Sequence, residues 1–320
     1  MYTVSNVEYS ILADKSEAAL KQSIKNFLKT HRRGIEPVRD LIICYLVIIF
    51  AWFAAIKYPY WWVYCLTCVV ITSVFVGFIG LIHEAYHDNL SSRKANDFIA
   101  WWLLSLPMFT LDYERDKNDH ISHHRFLGKK EDPTLFIYEF NKYELWKYLV
   151  LRTFFIDSII SLFKKKQKSS IPDLLKNKSL EIPFWPFKSR WTWKMFFCVF
   201  HGSLFVIFMF KAPLLYFFNW LIPANLATVL STIRTYVEHK SKDRNYTASI
   251  ATTYANIAEL LFISQFNFHH HSAHHLLPSV PYKHLPELTK LLDRYGWPKT
   301  NIPVYNHSGY LSNIIFRSHG

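Results

Sequence analysis

WWVYCLTCVVITSVFVGFIGLI, residues 61–82, runs without a charge into HEAYH at 83–87, and the fold turns on how that junction is read. As a helix the apolar run reaches roughly 33 Å at about 1.5 Å per residue. That is enough to cross a hydrocarbon core of about 30 Å. His83, Glu84 and His87 satisfy H-E-x-x-H, in which two imidazoles hold one zinc and the glutamate acts as general base. The same five residues also read as one corner of a larger metal site whose other ligands lie far along the chain.

Working outward, LIICYLVIIFAWFAAIK at 41–57 carries no charge before Lys57. A second pair of runs, MFFCVFHGSLFVIFMF at 195–210 and LLYFFNWLIPANLATVL at 214–230, is shorter and less uniform. The 320 residues would suit one or two soluble domains, but 51% are hydrophobic and 18% aromatic. We therefore expect an all-α integral membrane protein, one membrane domain over 1–320, with four transmembrane helices arranged as two hairpins. The first forty residues are polar and basic, so no signal peptide is visible, and the first spanning helix can itself direct insertion. Cys44, Cys65, Cys68 and Cys198 all fall in apolar segments and read as buried small hydrophobes, not as a zinc knuckle or a disulfide framework.

The net charge of +13 is informative through its placement. Lys15, Lys21, Lys25, Lys29, Arg32, Arg33 and Arg39 precede the first span, whereas the two hairpin turns offer only Lys57 and Lys211. The region after 82, including FKKKQK at 163–168, and the C-terminal third are rich in Lys and Arg. Positive-inside reasoning puts both termini, the 1–40 segment and both large polar blocks in the cytoplasm, as a helical cap on two hairpins. The basic residues track this topology and do not form a stripe interleaved with exposed aromatics, so nucleic-acid binding is not supported.

Three further apolar stretches need placing. FIAWWLLSLPMFTL at 98–111 is too short to span. LWKYLVLRTFFIDSIISLF at 145–163 is interrupted by Lys147, Arg152 and Asp157. Its Leu145, Leu149, Ile156, Ile159 and Phe163 recur as on one face of a helix lying at the membrane interface. IATTYANIAELLFISQFNF at 250–268 reads the same way. Residues 164–190, rich in Lys, Ser and Pro, read as a mobile cytoplasmic loop.

The chain has 16 histidines, and they cluster. HISHH (His120, His123, His124) and HSAHH (His271, His274, His275) share the form H-x-x-H-H. On a helix, positions i, i+3 and i+4 share one face, so each triplet is expected to present three imidazoles to one point. His239, in RTYVEHK, stands just beyond the fourth span. His269 and His270 extend the third cluster, but the intact pattern favours His271. His201 reads as a packed core histidine, and His31, His284, His307 and His319 as surface or interface residues. A catalytic zinc needs three protein ligands; eight or nine imidazoles suffice for two metals. Imidazole suits iron, zinc and copper alike. A metal cluster abutting a bilayer can reach acyl chains, whose C–H bonds need an oxidant that redox-inert zinc cannot supply.

These three boxes, separated by hydrophobic hairpins, resemble the membrane-bound di-iron fatty acid desaturase and hydroxylase superfamily. The likeness runs from about residue 75 to about 290 and includes HEAYHDNLSSRKANDFIAWW, HISHHRFLGKKEDPTL and NFHHHSAHHLLPSVPYKHLPEL. It implies two ferrous ions with O2 as co-substrate, held by His83, His87, His120, His123, His124, His271, His274 and His275, with His239 as the further ligand. Glu84 and Asn267 would support the centre indirectly. Asp88, Asp119, Asp132 and Glu238 are near enough in sequence to accept the second N–H of a ligating imidazole. The implied reaction is O2-dependent desaturation of a fatty acyl lipid or other acyl carrier. Hydroxylation, or attack on another hydrophobic or small alkyl substrate, is the alternative, and an intramembrane zinc peptidase the remote one. His271 in place of glutamine, and the lack of a His-Pro-Gly-Gly stretch, argue against enzymes with a fused cytochrome b5. A separate ferredoxin-, rubredoxin- or cytochrome b5-like donor is therefore expected as partner, beside membrane lipids.

Overall fold

Helices dominate because long apolar runs must satisfy their own backbone hydrogen bonds where water is absent. The computed structural model describes residues 6–31, 34–110, 112–154, 190–239, 250–295, 305–306 and 309–316. In chain order these form α1 (Asn6–Thr30), α2 (Glu36–Lys57), α3 (Trp61–Tyr86) and α4 (Arg93–Phe98), the last continued by a π turn at Ile99–Ser105. Then come α5 (Tyr113–Phe126), α6 (Leu135–Glu139), α7 (Lys142–Thr153), α8 (Arg190–Lys211) and α9 (Pro213–His239, with a π turn at Phe217–Leu221). After a two-residue strand β1 (Thr252–Thr253) follow α10 (Ile257–Phe262), α11 (His271–Leu276), α12 (Leu285–Arg294), β2 (Tyr305–Asn306) and α13 (Tyr310–Phe316). The strands pair in parallel, Thr252 opposite Tyr305.

Among the described residues, four helices are long and apolar enough to cross a membrane: Glu36–Lys57, Trp61–Tyr86, Thr192–Lys211 and Pro213–His239. Each is longer than its apolar run alone suggests. The helices carry on into polar sequence, so His83 and His239 lie on the last turns of α3 and α9 rather than beyond them. α3 is central, with buried residues along its length from Val63 to Ala85. Polar pins fix its neighbours: Asn219 Nδ2 donates to Thr67 Oγ1 at 2.6 Å, and Trp52 Nε1 to the Asn219 carbonyl at 3.2 Å.

The 98–110 stretch folds in among the spans. Tyr45 of α2 donates to the Leu103 carbonyl at 2.6 Å and Trp220 of α9 to that of Pro107 at 2.8 Å. The Leu106 carbonyl lies 3.0 Å from His201 Nε2, which therefore carries the hydrogen. Packed between the rings of Phe109 and Phe197, His201 is the core histidine expected of it.

Gly77 and Gly80 open α3 to the segment before the third histidine box. A Cβ at Gly77 would stand 2.6 Å from Gln265 Oε1, and one at Gly80 3.1 Å from the rings of both Phe266 and Phe268. The segment turns sharply there, with φ of 54° at Phe266 and 59° at Asn267. α1, read from sequence only as part of a polar N-terminal segment, is tied to α12: Ser23 Oγ meets Tyr295 Oη at 2.7 Å, and His31 Nε2 meets Glu287 Oε2 at 2.7 Å.

Several expectations need correcting. Residues 250–268 are not an interfacial helix; Asn256 caps a helix of only six residues through a capping box with Glu259. Leu145 and Leu149 pack in one cluster with Val229, Ile233 and Val237 of α9, so that face of α7 meets protein instead of lipid. Ile156, Ile159, Phe163, FKKKQK and all of the 164–190 loop except Arg190 fall outside the described residues, as do His307 and His319. Cys65 and Cys198 are exposed, on the outer faces of their helices, while Cys44 and Cys68 are buried; all four are free.

Candidate metal centre

Four elements deliver the imidazoles. The end of α3 gives His83 and His87, α5 gives His120, His123 and His124, α9 ends on His239, and α11 gives His271, His274 and His275. α5 starts at Asp112, whose carboxylate accepts from the Arg115 N–H at 3.3 Å. α11 follows the left-handed turn at Phe266–Asn267, where the His270 N–H closes on the Asn267 carbonyl at 3.0 Å.

The nine histidines sort into two groups. His83, His87, His120, His124 and His274 offer ligand atoms that all lie within 4.8 Å of one another, and His123, His239 and His275 do the same. His271 joins the second group, its Nε2 2.8 Å from His239 Nε2. The groups abut, the rings of His124 and His275 stacking at 4.1 Å. Each H-x-x-H-H triplet is therefore split, which corrects the expectation that it points at one place. The i and i+4 members turn to one group and the i+3 member to the other. Consecutive residues on a helix point about 100° apart, so His123 and His124, or His274 and His275, cannot face the same ion.

The nitrogens are arranged as a donor set for metal. Nε2 of His120 lies 2.9 Å from that of His87 and 3.0 Å from that of His124, which is 3.2 Å from that of His274. His239 Nε2 likewise sits between His123 at 3.2 Å and His271 at 2.8 Å. A neutral imidazole nitrogen either carries a hydrogen or offers a lone pair. A nitrogen between two others cannot satisfy both by hydrogen bonding. Two nitrogens about 2.1 Å from one ion and at right angles to it stand about 3.0 Å apart, so the spacing fits ions better than hydrogen bonds. Nε2 of His275 is buried in the same place with no hydrogen-bond partner among the described residues.

The surroundings keep these rings neutral. Burial, helped by Lys117, lowers His87 to about 4, and burial, helped by His87, lowers His124 to about 2. His120, His271, His274 and His275 are held well below the ordinary histidine range, by burial first and by neighbouring imidazoles next. Neutral imidazoles keep the lone pair that a metal needs.

Two of the four carboxylates singled out from sequence meet the ring nitrogens that face away. His123 Nδ1 donates to Asp132, 3.1 Å from Oδ1, and Asp132 is itself held by the N–H groups of Gly128 and Thr134. His271 Nδ1 lies 3.3 Å from Glu238 Oε2. Asp88 and Asp119 do otherwise: Asp88 accepts from buried Lys117 at 2.7 Å, and Asp119 pairs with Arg115 at 3.5 Å. Glu84 is buried, and its Oε2 accepts the backbone N–H of Tyr282 at 3.1 Å. Among the described residues no hydrogen bond joins it to a histidine. Asn267 shapes the turn and donates to the Tyr282 carbonyl at 3.4 Å.

Sequence reading missed Thr134, whose hydroxyl stands 2.8 Å from His123 Nδ1 and donates to Asp132 at 2.9 Å. Phe268 was missed too; its ring meets that of His83 edge-on at 4.6 Å. A separate gathering of His31, His284 and Glu287 joins α1 to α12.

Two adjoining histidine groups at the ends of membrane-crossing helices limit the families to which such a protein can belong, and residues 59–307 match the fatty acid desaturase family. The chain belongs to the fatty acid desaturase family. No curated protein and no solved structure gives a significant match. Membership makes the chain a membrane-bound oxidoreductase of the desaturase and hydroxylase type, and all nine histidines flagged in the sequence fall within the matched residues.

Proposed function

We propose that this desaturase-family chain is an O2-dependent fatty acyl desaturase that carries two irons. The observation that carries the reading is the division of nine buried or half-buried histidines into two touching groups. His83, His87, His120, His124 and His274 would hold one ion, and His123, His239, His271 and His275 the other. When bound, such a pair of ions supplies the redox chemistry with O2 that unactivated methylene groups require.

The chain's own part is positioning. Asp132 and Glu238 fix the tautomers of His123 and His271 with the lone pair of Nε2 turned inward. Phe268 and the apolar end of α3 wall the first group, excluding water from it. The centre and both termini are assigned to the cytoplasmic side, from the distribution of Lys and Arg. Electrons come from a separate acidic donor of the ferredoxin, rubredoxin or cytochrome b5 type, steered by the net charge of +13.

The test is mass spectrometry of total lipids from cells expressing wild type or His274→Ala, together with the donor. Histidine-dependent loss of two hydrogens from acyl chains supports desaturation. Gain of one oxygen replaces it with hydroxylation. Unchanged lipids, from cells whose purified protein holds two irons, would reject an acyl substrate.

A further inference from the structure

α7 starts at the metal end of the molecule. Lys142 Nζ donates to the Ile315 carbonyl of α13 at 2.8 Å, and α13 also delivers Tyr310 to Glu238, next to His239. It finishes elsewhere. Asn225 Nδ2 donates to the carbonyls of Arg152 at 3.1 Å and Thr153 at 2.8 Å. Asn225 lies near the middle of the span Pro213–His239, and from Glu238 back to Asn225 α9 travels roughly 20 Å. α7 therefore runs antiparallel to α9, from the metal end to mid-span, and its twelve residues cover roughly 18 Å.

Its surface changes along that path. The inner face, Leu145 and Leu149, is buried against α9. The outer face carries Tyr143, Trp146, Val150 and Phe154, which are 76%, 43%, 51% and 68% exposed. Exposed Glu144 and Lys147 accompany them in the first half. In the second half the charge is Arg152, and its guanidinium turns back one turn to donate to Tyr148 Oη at 2.7 Å, towards the metal end. Long basic side chains do this where their stems lie in hydrocarbon and their heads seek the interface.

The helix end agrees. In water the last carbonyls of a helix can be left to solvent. In hydrocarbon the protein must satisfy them, and here a side chain from the interior of a spanning helix takes two.

We propose that α7 is a re-entrant membrane helix: it enters the bilayer alongside α9, and Val150 and Phe154 on its outer face contact lipid acyl chains. This departs from the flat interfacial helix that the sequence suggests.

The test is nitroxide depth measurement on the full-length protein in phospholipid vesicles. Labels are placed singly at Glu144→Cys, Lys147→Cys, Val150→Cys and Phe154→Cys, with Val70→Cys on α3 as the in-span reference. The four native cysteines are replaced by alanine, in a background that keeps wild-type metal content. Depth is read from the ratio of collisions with O2 to those with a water-soluble nickel chelate. The expected ratio rises from 144 to 154, and position 154 approaches the Val70 reference. An equal, shallow ratio at all four positions would overturn the proposal in favour of a flat helix. Free access of the chelate to 150 and 154 would overturn it in favour of a water-facing one. Neither result bears on the reaction proposed above, since the readout is independent of activity.

Discussion

The hydroxyl of Tyr310 donates to Glu238 Oε1 at 2.6 Å, across 72 residues of chain, while the other oxygen of Glu238 lies 3.3 Å from His271 Nδ1. Tyr310 is fully buried and Glu238 nearly so. A C-terminal helix with no imidazole of its own thus steadies a carboxylate that orients one. Tyr310→Phe removes a hydrogen bond to a buried carboxylate and is expected to destabilise the protein by about 1.5–3 kcal/mol. On the proposed two-iron reading, metal content should fall towards one ion per chain, and thermal unfolding with elemental analysis reads both.

Asp132 accepts from His123, Thr134 and Gly128 at once. Asp132→Asn keeps the size but puts an amide where only acceptors are needed. Loss of such a partner costs about 10–100-fold in metal affinity. Competition with a chelator should show that loss for one ion of the two, and Thr134→Val a smaller one.

At Gly80 an added methyl group would meet two aromatic rings at once. Overpacking of this kind costs about 1–3 kcal/mol. Gly80→Ala should lower the unfolding midpoint in detergent, whereas Gly202→Ala, inside a helix where a Cβ meets nothing within 4 Å, should keep or slightly raise it.

Acid should destabilise the metal-stripped protein. His87 and His124 are lowered to about 4 and about 2 in the fold, against about 6.5 when unfolded. Their contribution is complete above pH of about 6.5 and is lost as pH falls towards the folded values, because the unfolded chain takes up protons that the fold does not. Unfolding midpoints of the stripped protein measured from pH 7.5 to pH 5 should therefore decline. His87→Asn should flatten the curve.

The spans and the nine histidines were legible because both signals are local: an uncharged run long enough to cross, and imidazoles at helical spacing. The split of each triplet follows from the angle of about 100° between neighbouring helix residues, which the shared i, i+3, i+4 face conceals. Residues 250–268 misled because their apolar content resembles α7, while β-branched Thr252–Thr253 and the Asn256 cap break the helix. Glu238 was flagged by adjacency to His239. Tyr310 was not, since a contact over 72 residues leaves no mark on local pattern. H-E-x-x-H places Glu84 next to a ligand in sequence, and only the fold shows that its carboxylate meets the backbone of Tyr282.

The first group draws on α3 of the first hairpin and the second on α9 of the second hairpin, while α5 and α11 supply residues to both. The first set is complete only with His274 and the second with His275, by which time all four spans have been made. On the proposed two-ion reading, metal loading is then a late event in biogenesis, after threading of the bundle, since a chain stopped before residue 271 lacks His274 of the first group and His271 and His275 of the second.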